Sequence, residues 1–578
     1  MAHLHKKIKK GRPYYYLREI KRVDGKPKVV SQIYLGTAEK IAETFQKANQ
    51  TQTPIKTRTE AFGALLIAHE LEKEFDTIGI VDTIVPRTRQ EIGPTVGEYF
   101  FYAWANRMIA PKSKHALESW YSKTAIQHIR PVDVSELTSL RYWQKWDRVT
   151  SKDVDQIGRA FFEKLWTLEQ APAECCLFDT TNIFSYLDSA TTSELCQRGR
   201  SKDSKHHLRQ IGLGLLVDRA TEIPLFYKIY PGNEHDSKVF NHVMDEMFGV
   251  MCAFNQTKQK LTVVFDKGMN SEENLSFIDG HAQMHFITTY SPHFVEELAR
   301  IKRKDFSPLG IEKNRQLIAQ DKADDQITGY RMNKELWGKE RTVLITYNPK
   351  SYRKQTFTLH RKLDAVRDEL LLFRQKYKQK RPHWKNPDQI LRRYERLCER
   401  LHIGSQYYQL EFVAEAELSF RKNQQAVTQA QQRFGRNVIV TDHSDWTNEQ
   451  IAQATLDRYG VERSFRTGKD SQHVALRPFF HWTDSKIRCQ LLTCLIALTL
   501  SRVLEKRLKQ AGIKTQQQYT SAKAIMEQMH ALHSVLYYFP NKRKATRVIE
   551  DPTPLQSEVL KLFNYEIHPG GVLQKLSA

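Results

Sequence analysis

Three carboxylates carry the chemistry that this sequence offers. Asp179 and Asp266 each close an apolar run, "CCLFD" and "LTVVFD", and Glu462 stands among cations in "DRYGVERSFRTGK". A carboxylate at the end of an apolar strand projects from a rigid edge into a cleft, although an Asp there is also an ordinary turn residue. On a helix, residues four apart lie about 40° from one another and residues seven apart about 20°. Arg458, Glu462, Arg466 and Lys469 therefore share one face, with Val461 and Phe465 to its side. Such a face is either a solvated helix with ion pairs of roughly 0.2–0.5 kcal/mol each, or a carboxylate held where a polyanion passes.

Gathered within about 5 Å, three carboxylates repel by roughly 3 kcal/mol per pair at an effective dielectric of 20. Hard divalent cations with oxygen ligands neutralise such a set, and Mg²⁺ prefers one or two carboxylates with its other sites left to water and phosphate. Two such ions about 4 Å apart activate a nucleophile and stabilise a leaving oxygen in phosphoryl transfer.

The elements that must position these acids follow from periodicity. After Pro172 the order is β-β-β-α-β-α-β, from "CCLFDTTNIFSY" to "HFITTY", which suits a mixed sheet flanked by helices. Residues 291–449 interrupt that sheet. They hold a strand, "ERTVLITY", two helical stretches with fifteen Lys or Arg against six Asp or Glu between Ser351 and Arg400, and a returning strand, "RNVIVTD". A solvated helical hairpin and a DNA-contacting one read alike here. Before the sheet, residues 57–170 read as helices, among them "TVGEYFFYAWANRMI" behind Pro94. At the N-terminus, "YYYLREIKRVDGKPKVVSQIYLG" reads as a hairpin about an Asp24-Gly25 turn with a basic face, and residues 40–56 as a linker.

The totals agree with a multidomain globular chain. Its 578 residues call for three or four folding units, and a formal net charge of +23 favours a polyanionic partner. The basic N-terminus lacks the apolar segment of a secretory signal. The apolar run Cys489–Leu500 is too short to span a bilayer, so a buried helix is expected. Seven cysteines without a C-x-x-C pair point to reduced thiols in a cytoplasmic compartment, with neither zinc nor disulfides.

Element order, Asp179, Asp266 and the late Glu462 resemble the Asp-Asp-Glu transposases of bacterial insertion sequences, whose catalytic core is ribonuclease H-like. One branch carries Tyr-x2-Arg-x3-Glu-x6-Lys about its Glu, and Arg458, Glu462 and Lys469 match three of the four positions, with Thr455 in place of the Tyr. The stretches "GRSKDSKHHLRQIGLGLLVDRATEIPLFYKIYPGNEHD", "VVFDKGMNSEENL" and "LRPFFHWTDSKIRCQ" look like the same branch. The resemblance implies an α/β multidomain protein: an N-terminal hairpin region (1–56), a helical domain that binds DNA ends (57–170), a ribonuclease H-like core in two parts (171–290 and 450–505), a large α+β insertion (291–449) and a C-terminal helical region (506–578). It implies that Asp179, Asp266 and Glu462 bind two Mg²⁺ ions, for which Mn²⁺ substitutes, and that Arg458 and Lys469 hold phosphates. Arg466, Lys202 and Arg209 are further DNA-contact candidates. The implied partners are double-stranded DNA, as terminal inverted repeats and target, and a second copy on paired ends, in the bacterial cytoplasm at the nucleoid and with no membrane. A stand-alone nuclease on the same core and a non-catalytic DNA-binding descendant are the alternatives.

Overall fold

The computed structural model describes all residues except 1, 24–25, 50–52, 170–173, 189–190, 201–204, 206, 235, 255–259, 291–296, 298–300, 415–416, 478, 516–520, 541 and 577–578. The chain forms two compact units, Met1–Phe62 with Leu532–Ala578, and Gly63–Ala531.

The first unit opens with a three-stranded antiparallel sheet, β1 (Ala2–Lys9), β2 (Arg12–Val23) and β3 (Lys26–Gly36). β2 and β3 are the arms of the expected hairpin, whose Asp24-Gly25 turn lies outside the described residues. β1 was not legible as a strand; a tight Lys10-Gly11 turn, both residues at positive φ, folds it onto β2. The expected linker over 40–56 is largely the helix α1 (Ala38–Asn49); its stripe, Ile41 and Phe45, was too thin to register among polar residues. β4 (Lys56–Ala61) pairs with strand His533–Tyr538, which also pairs with Thr546–Ile549. The C-terminal region is therefore mixed rather than helical. Its four strands are four to six residues long, too short for alternation to declare them.

In the second unit, α2 (Gly63–Phe75), α3 (Thr77–Ile84), α4 (Val96–Ile109), the short α5 (Leu117–Tyr121), α6 (Ile126–Ile129) and α7 (Ser139–Trp146), and α8 (Ser151–Glu169) form the expected helical layer. A reciprocal capping box starts α4: Thr95 Oγ1 accepts from the Glu98 amide at 3.1 Å and the Glu98 carboxylate accepts from the Thr95 amide at 2.8 Å.

The strands β5 (Cys175–Ser185), β6 (Arg209–Asp218), β7 (Pro224–Pro231), β8 (Leu261–Phe265) and β9 (Met284–Tyr290), with the helices α9 (Asp236–Phe254) and α10 (Glu272–Asp279), follow the order read from the sequence. The sheet does not stop there. β10 (Ser307–Pro308), β11 (Thr328–Leu336), β12 (Lys339–Tyr347) and the later β15 (Arg436–Thr441) join it, giving the nine-stranded order β10-β11-β12-β15-β9-β8-β5-β6-β7. The stretch 291–449 thus extends the sheet along one edge, beyond β9, rather than standing wholly apart from it; antiparallel pairing of β15 with β9 and β12 makes the join. Helix α11 (Glu312–Ala319) lies between β10 and β11.

Between β12 and β15, α12 (Pro349–Lys378), α13 (Pro387–Arg400), the β13 (Tyr408–Ala414)–β14 (Glu417–Lys422) ribbon and α14 (Gln424–Arg433) enclose a separate apolar cluster. Leu359, Leu363, Val366, Leu370, Phe373 and Tyr377 line it from α12 at alternating steps of four and three, the stripe by which one helix packs on another.

Three helices follow, α15 (Asn448–Asp457), α16 (Tyr459–Lys469) and α17 (Asp484–Gln510). α17 contains the run Cys489–Leu500 but extends well beyond it, and by length and composition it could cross a membrane. It is the central core helix instead: 94% of its most apolar window is buried, and it packs against α4, α7, α8 and α16.

Just before α17, His481 sits between Trp143 and Trp146 of α7, its ring centroid 5.1 and 6.3 Å from theirs. Burial pushes its pKa down to about 3, and among the described residues neither ring nitrogen has a partner. An unsatisfied buried N–H costs roughly 1–3 kcal/mol, so His481→Leu is expected to raise stability by about 1 kcal/mol at pH 7. The unfolded chain takes up this proton below pH 6.5 while the folded one does not, so native stability falls with pH through that window. The variant's advantage therefore widens as pH drops from 6.5 to 4.5, which urea unfolding at several pH values checks.

Candidate active site

The site is built on the parallel pair β5 and β8. Their register sets Cys175 opposite Thr262, Cys176 opposite Val263 and Leu177 opposite Val264. Continued by two residues, it brings Asp179 level with Asp266, and alternation puts both on one face. Asp179 is the sole residue of β5 that is not buried. Its carboxylate accepts from the Thr180 amide at 2.8 Å.

Asp266 follows the last residue of β8, and its side chain is 41% exposed. It accepts a hydrogen bond from the Thr289 hydroxyl at 3.3 Å, at the end of the neighbouring β9, while Asn270 Nδ2 donates to the Thr289 carbonyl at 2.8 Å. The turn after β8 is thereby tied to the strand beside it.

The third acid arrives on α16, which is fixed on its buried side at three points. Arg219 Nε donates to Asp457 at 2.7 Å where α15 ends. Gly460 lies against β5 so closely that a Cβ there would stand 3.2 Å from Leu177 Cδ1. Arg463 reaches Glu222 in the β6–β7 turn and Glu505 on α17, both at 3.2 Å. Glu505 also pairs with the buried Arg502 at 2.6 Å. With its inner face held, α16 turns Glu462, 47% exposed, outward.

Arg458, at the junction of α15 and α16, joins the acids. One guanidinium nitrogen lies 3.7 Å from Asp266 Oδ1 and another 3.5 Å from Glu462 Oε1. Both distances are too long for hydrogen bonds, so the pairs are worth at most about 1 kcal/mol each. The cation is 22% exposed and loosely held between two carboxylates. Among the described residues, no three acid, histidine or cysteine side chains stand close enough together to hold a metal ion as they are.

The other candidates divide. Arg466 folds onto its own helix: its guanidinium lies over the Tyr459 ring at 5.4 Å and donates to the Tyr459 hydroxyl at 3.1 Å. Lys469 ends α16, seven residues past Glu462. Arg209 pairs with Ser185, six residues along β5 from Asp179 and so about 20 Å away, and donates to the Cys196 carbonyl at 3.1 Å. Lys202 lies outside the described residues. Thr455 does not face the acids through its hydroxyl, which donates back to the Ile451 carbonyl at 3.0 Å; its side chain lines a cavity of about 210 Å³ with Ile439 and Thr346. Trp482 is 57% exposed, whereas Trp446 stacks on His443 at 4.3 Å.

A family model described as "Transposase DDE domain" matches residues 188–500, more than half of the chain. The chain belongs to the DDE transposase family. Asp266, Arg458, Glu462 and Lys469 fall inside the matched span, and Asp179 lies nine residues before it. The transposase is also similar to a solved "piggyBac transposase synaptic complex with hairpin DNA", at 10% identity over 82% of each chain and a TM-score of 0.37. No curated protein matches the transposase sequence.

Three residues that matter here escaped sequence reasoning: Gly460, Arg463 and Thr289. Gly460 was the one with a signal, since a glycine inside a helical pattern marks a close approach. Gly460→Val is expected to push α16 off β5 and to destabilise the fold by about 1–3 kcal/mol. Urea unfolding measures this, with Gly249→Val, which meets open space, as the comparison.

Proposed function

We propose that the transposase cuts insertion-sequence ends and joins the freed 3′-hydroxyl to target DNA, with Asp179, Asp266 and Glu462 as its catalytic carboxylates. The observation that carries this reading is the shared contact of Arg458 with Asp266 and Glu462 beside the strand that bears Asp179. Strand order supports a ribonuclease H-like core, and the enclosed cluster of α12–α14 supports an insertion into it. Arg458, Glu462 and Lys469 support membership of the Tyr-Arg-Glu-Lys branch.

The donor set suits a hard divalent cation: three carboxylates, two of them already facing a common positive charge. Asp179, Asp266 and Glu462 would hold Mg²⁺, or Mn²⁺ in its place. The chemistry such ions would supply there is Lewis acidity, which would lower the pKa of an attacking water or hydroxyl and stabilise a leaving oxygen. The chain's own groups do the rest. β5 and β8 fix two acids on a rigid edge, and α16 brings the third to it from outside. Arg458, held among the described residues by contacts of 3.5 and 3.7 Å, can turn its guanidinium to a phosphate flanking the scissile bond. Lys469 adds a second positive charge on the same helix. A pair of transposase copies on two DNA ends, in a bacterial cytoplasm, completes the proposal.

Glu462→Gln keeps the shape of the side chain and removes its charge. It is expected to abolish strand cleavage while leaving duplex binding in Ca²⁺ intact; cleavage at the parent's rate would remove Glu462 from the site. Arg458→Ala and Lys469→Ala are each expected to flatten the dependence of log K on log[salt] by about one unit, as the loss of one phosphate contact does. Electrophoretic binding titrations from 50 to 200 mM salt read this slope, and an unchanged slope would return both residues to structural ion pairing.

A further inference from the structure

The N-terminal sheet has two unlike faces. Its registers place Leu4 opposite Leu17 and Leu17 opposite Ile33, and on the other face Lys7 opposite Tyr14 and Tyr16 opposite Tyr34. Alternation gathers Lys7 and Lys9 of β1 with Arg12 and Arg18 of β2 on the tyrosine side. Side-chain contacts agree: the Tyr34 ring lies 6.1 Å from Tyr14 and 5.1 Å from Tyr16, and Arg18 Nε donates to Gln32 at 2.6 Å. The one acid of the described strands, Glu19, is on the opposite face, opposite Ala2 and Ser31. Four cations thus share a strip to which the described strands add no carboxylate, Glu39 of α1 being near enough to feel the charge of Arg12, and Lys7, Lys9 and Arg12 are exposed.

The arrangement selects among polyanions. An interfacial membrane binder needs cations beside apolar side chains on one surface; the tyrosine face instead sets Lys7 and Arg12 beside tyrosines, while Lys6 stands with Leu4 and Ile8 on the other face. A single-strand binder needs open ring faces on which bases stack, whereas Tyr34 is engaged by both of its neighbours, at interplanar angles of 40° and 48°. β3 pairs with β2 only from Tyr15 onward, so the tip of the β1–β2 ribbon, the pairs Lys7–Tyr14, Ile8–Pro13 and Lys9–Arg12 with the slender Lys10-Gly11 turn, is two strands wide. The major groove of B-form DNA, about 12 Å across, admits a two-stranded ribbon. We infer that the tyrosine face of this sheet is a duplex-DNA docking surface, with the tip of β1–β2 entering the major groove, Lys7, Lys9 and Arg12 on flanking phosphates, and Arg18 on the phosphate backbone beside the groove. This binding surface is additional to the carboxylate site, and it rests on the transposase reading only in taking DNA as the polyanion.

The test uses the full chain with a labelled 30-base-pair duplex of arbitrary sequence, its single strand, an RNA duplex, and vesicles of anionic and neutral phospholipid. Lys7→Gln and Arg12→Gln are each expected to lower the salt slope on duplex DNA by about 0.9, while Lys6→Gln, on the opposite face, leaves it unchanged. Parent protein, but not the double variant, should protect guanine N7 from methylation in the major groove. Thermal melting shows whether the variants fold, and their exposed positions make loss of fold unexpected. Parental slopes in both variants, an equal effect of Lys6→Gln, or losses confined to single strand, RNA or vesicles would each overturn the inference. Unchanged slopes with tight duplex binding would leave the proposed function standing; a parent that binds no duplex would fell both.

Discussion

The parallel register of β5 on β8 is the constraint on which the rest depends. Two aspartates 87 positions apart in sequence become neighbours because Leu177 lies opposite Val264 and both strands run the same way. A slip of one residue would turn one carboxylate to the other face of the sheet. Ten of the eleven residues of β5 are buried, so such a slip would also expose an apolar strand. The hydrophobic pattern and the placement of the acids are therefore fixed by the same pairing.

The third acid needs a different device, because a helix has no register with a sheet. Gly460 lets α16 approach β5, and the charged set Arg463, Glu222, Glu505 and Arg502 sets its rotation. Arg502 and Glu505 are nearly inaccessible, and a buried pair of this kind contributes little net stability. Its effect is directional, since turning α16 would strand Arg463 away from two acids. With the inner face so fixed, Arg458 and Glu462 share the outer one. Arg463 and Arg502 each reach Glu505 at hydrogen-bonding distance, 3.2 and 2.6 Å, whereas Arg458 stands 3.5 and 3.7 Å from its outer acids, which leaves it the freer to meet a ligand.

Much of this was readable in the sequence for identifiable reasons. Asp179 and Asp266 announced themselves by closing apolar runs, and the face of Arg458, Glu462 and Lys469 by its spacing. The α12 stripe was visible as helix, though not the separate core it builds. What could not be read was long-range. The return of β15 to the sheet between β9 and β12 is set by pairing partners that no local pattern names, so residues 291–449 read as an interruption. The C-terminal strands were too short for alternation, and α1 too polar for its two apolar residues to show. Arg466 was counted with the DNA-facing cations because spacing cannot reveal that Tyr459, one turn before Glu462, takes its guanidinium.

The central claim is that these carboxylates serve metal-dependent cutting and joining of DNA. The most direct measurement incubates the purified transposase with a labelled duplex bearing the element's own terminal repeat and a supercoiled plasmid, in Mg²⁺ and in EDTA. The account predicts 3′-end cleavage and a strand-joined product in Mg²⁺ and neither in EDTA. Cleavage without joining would contradict transposition in favour of a nuclease, and a duplex bound but left whole in Mg²⁺ would contradict catalysis altogether.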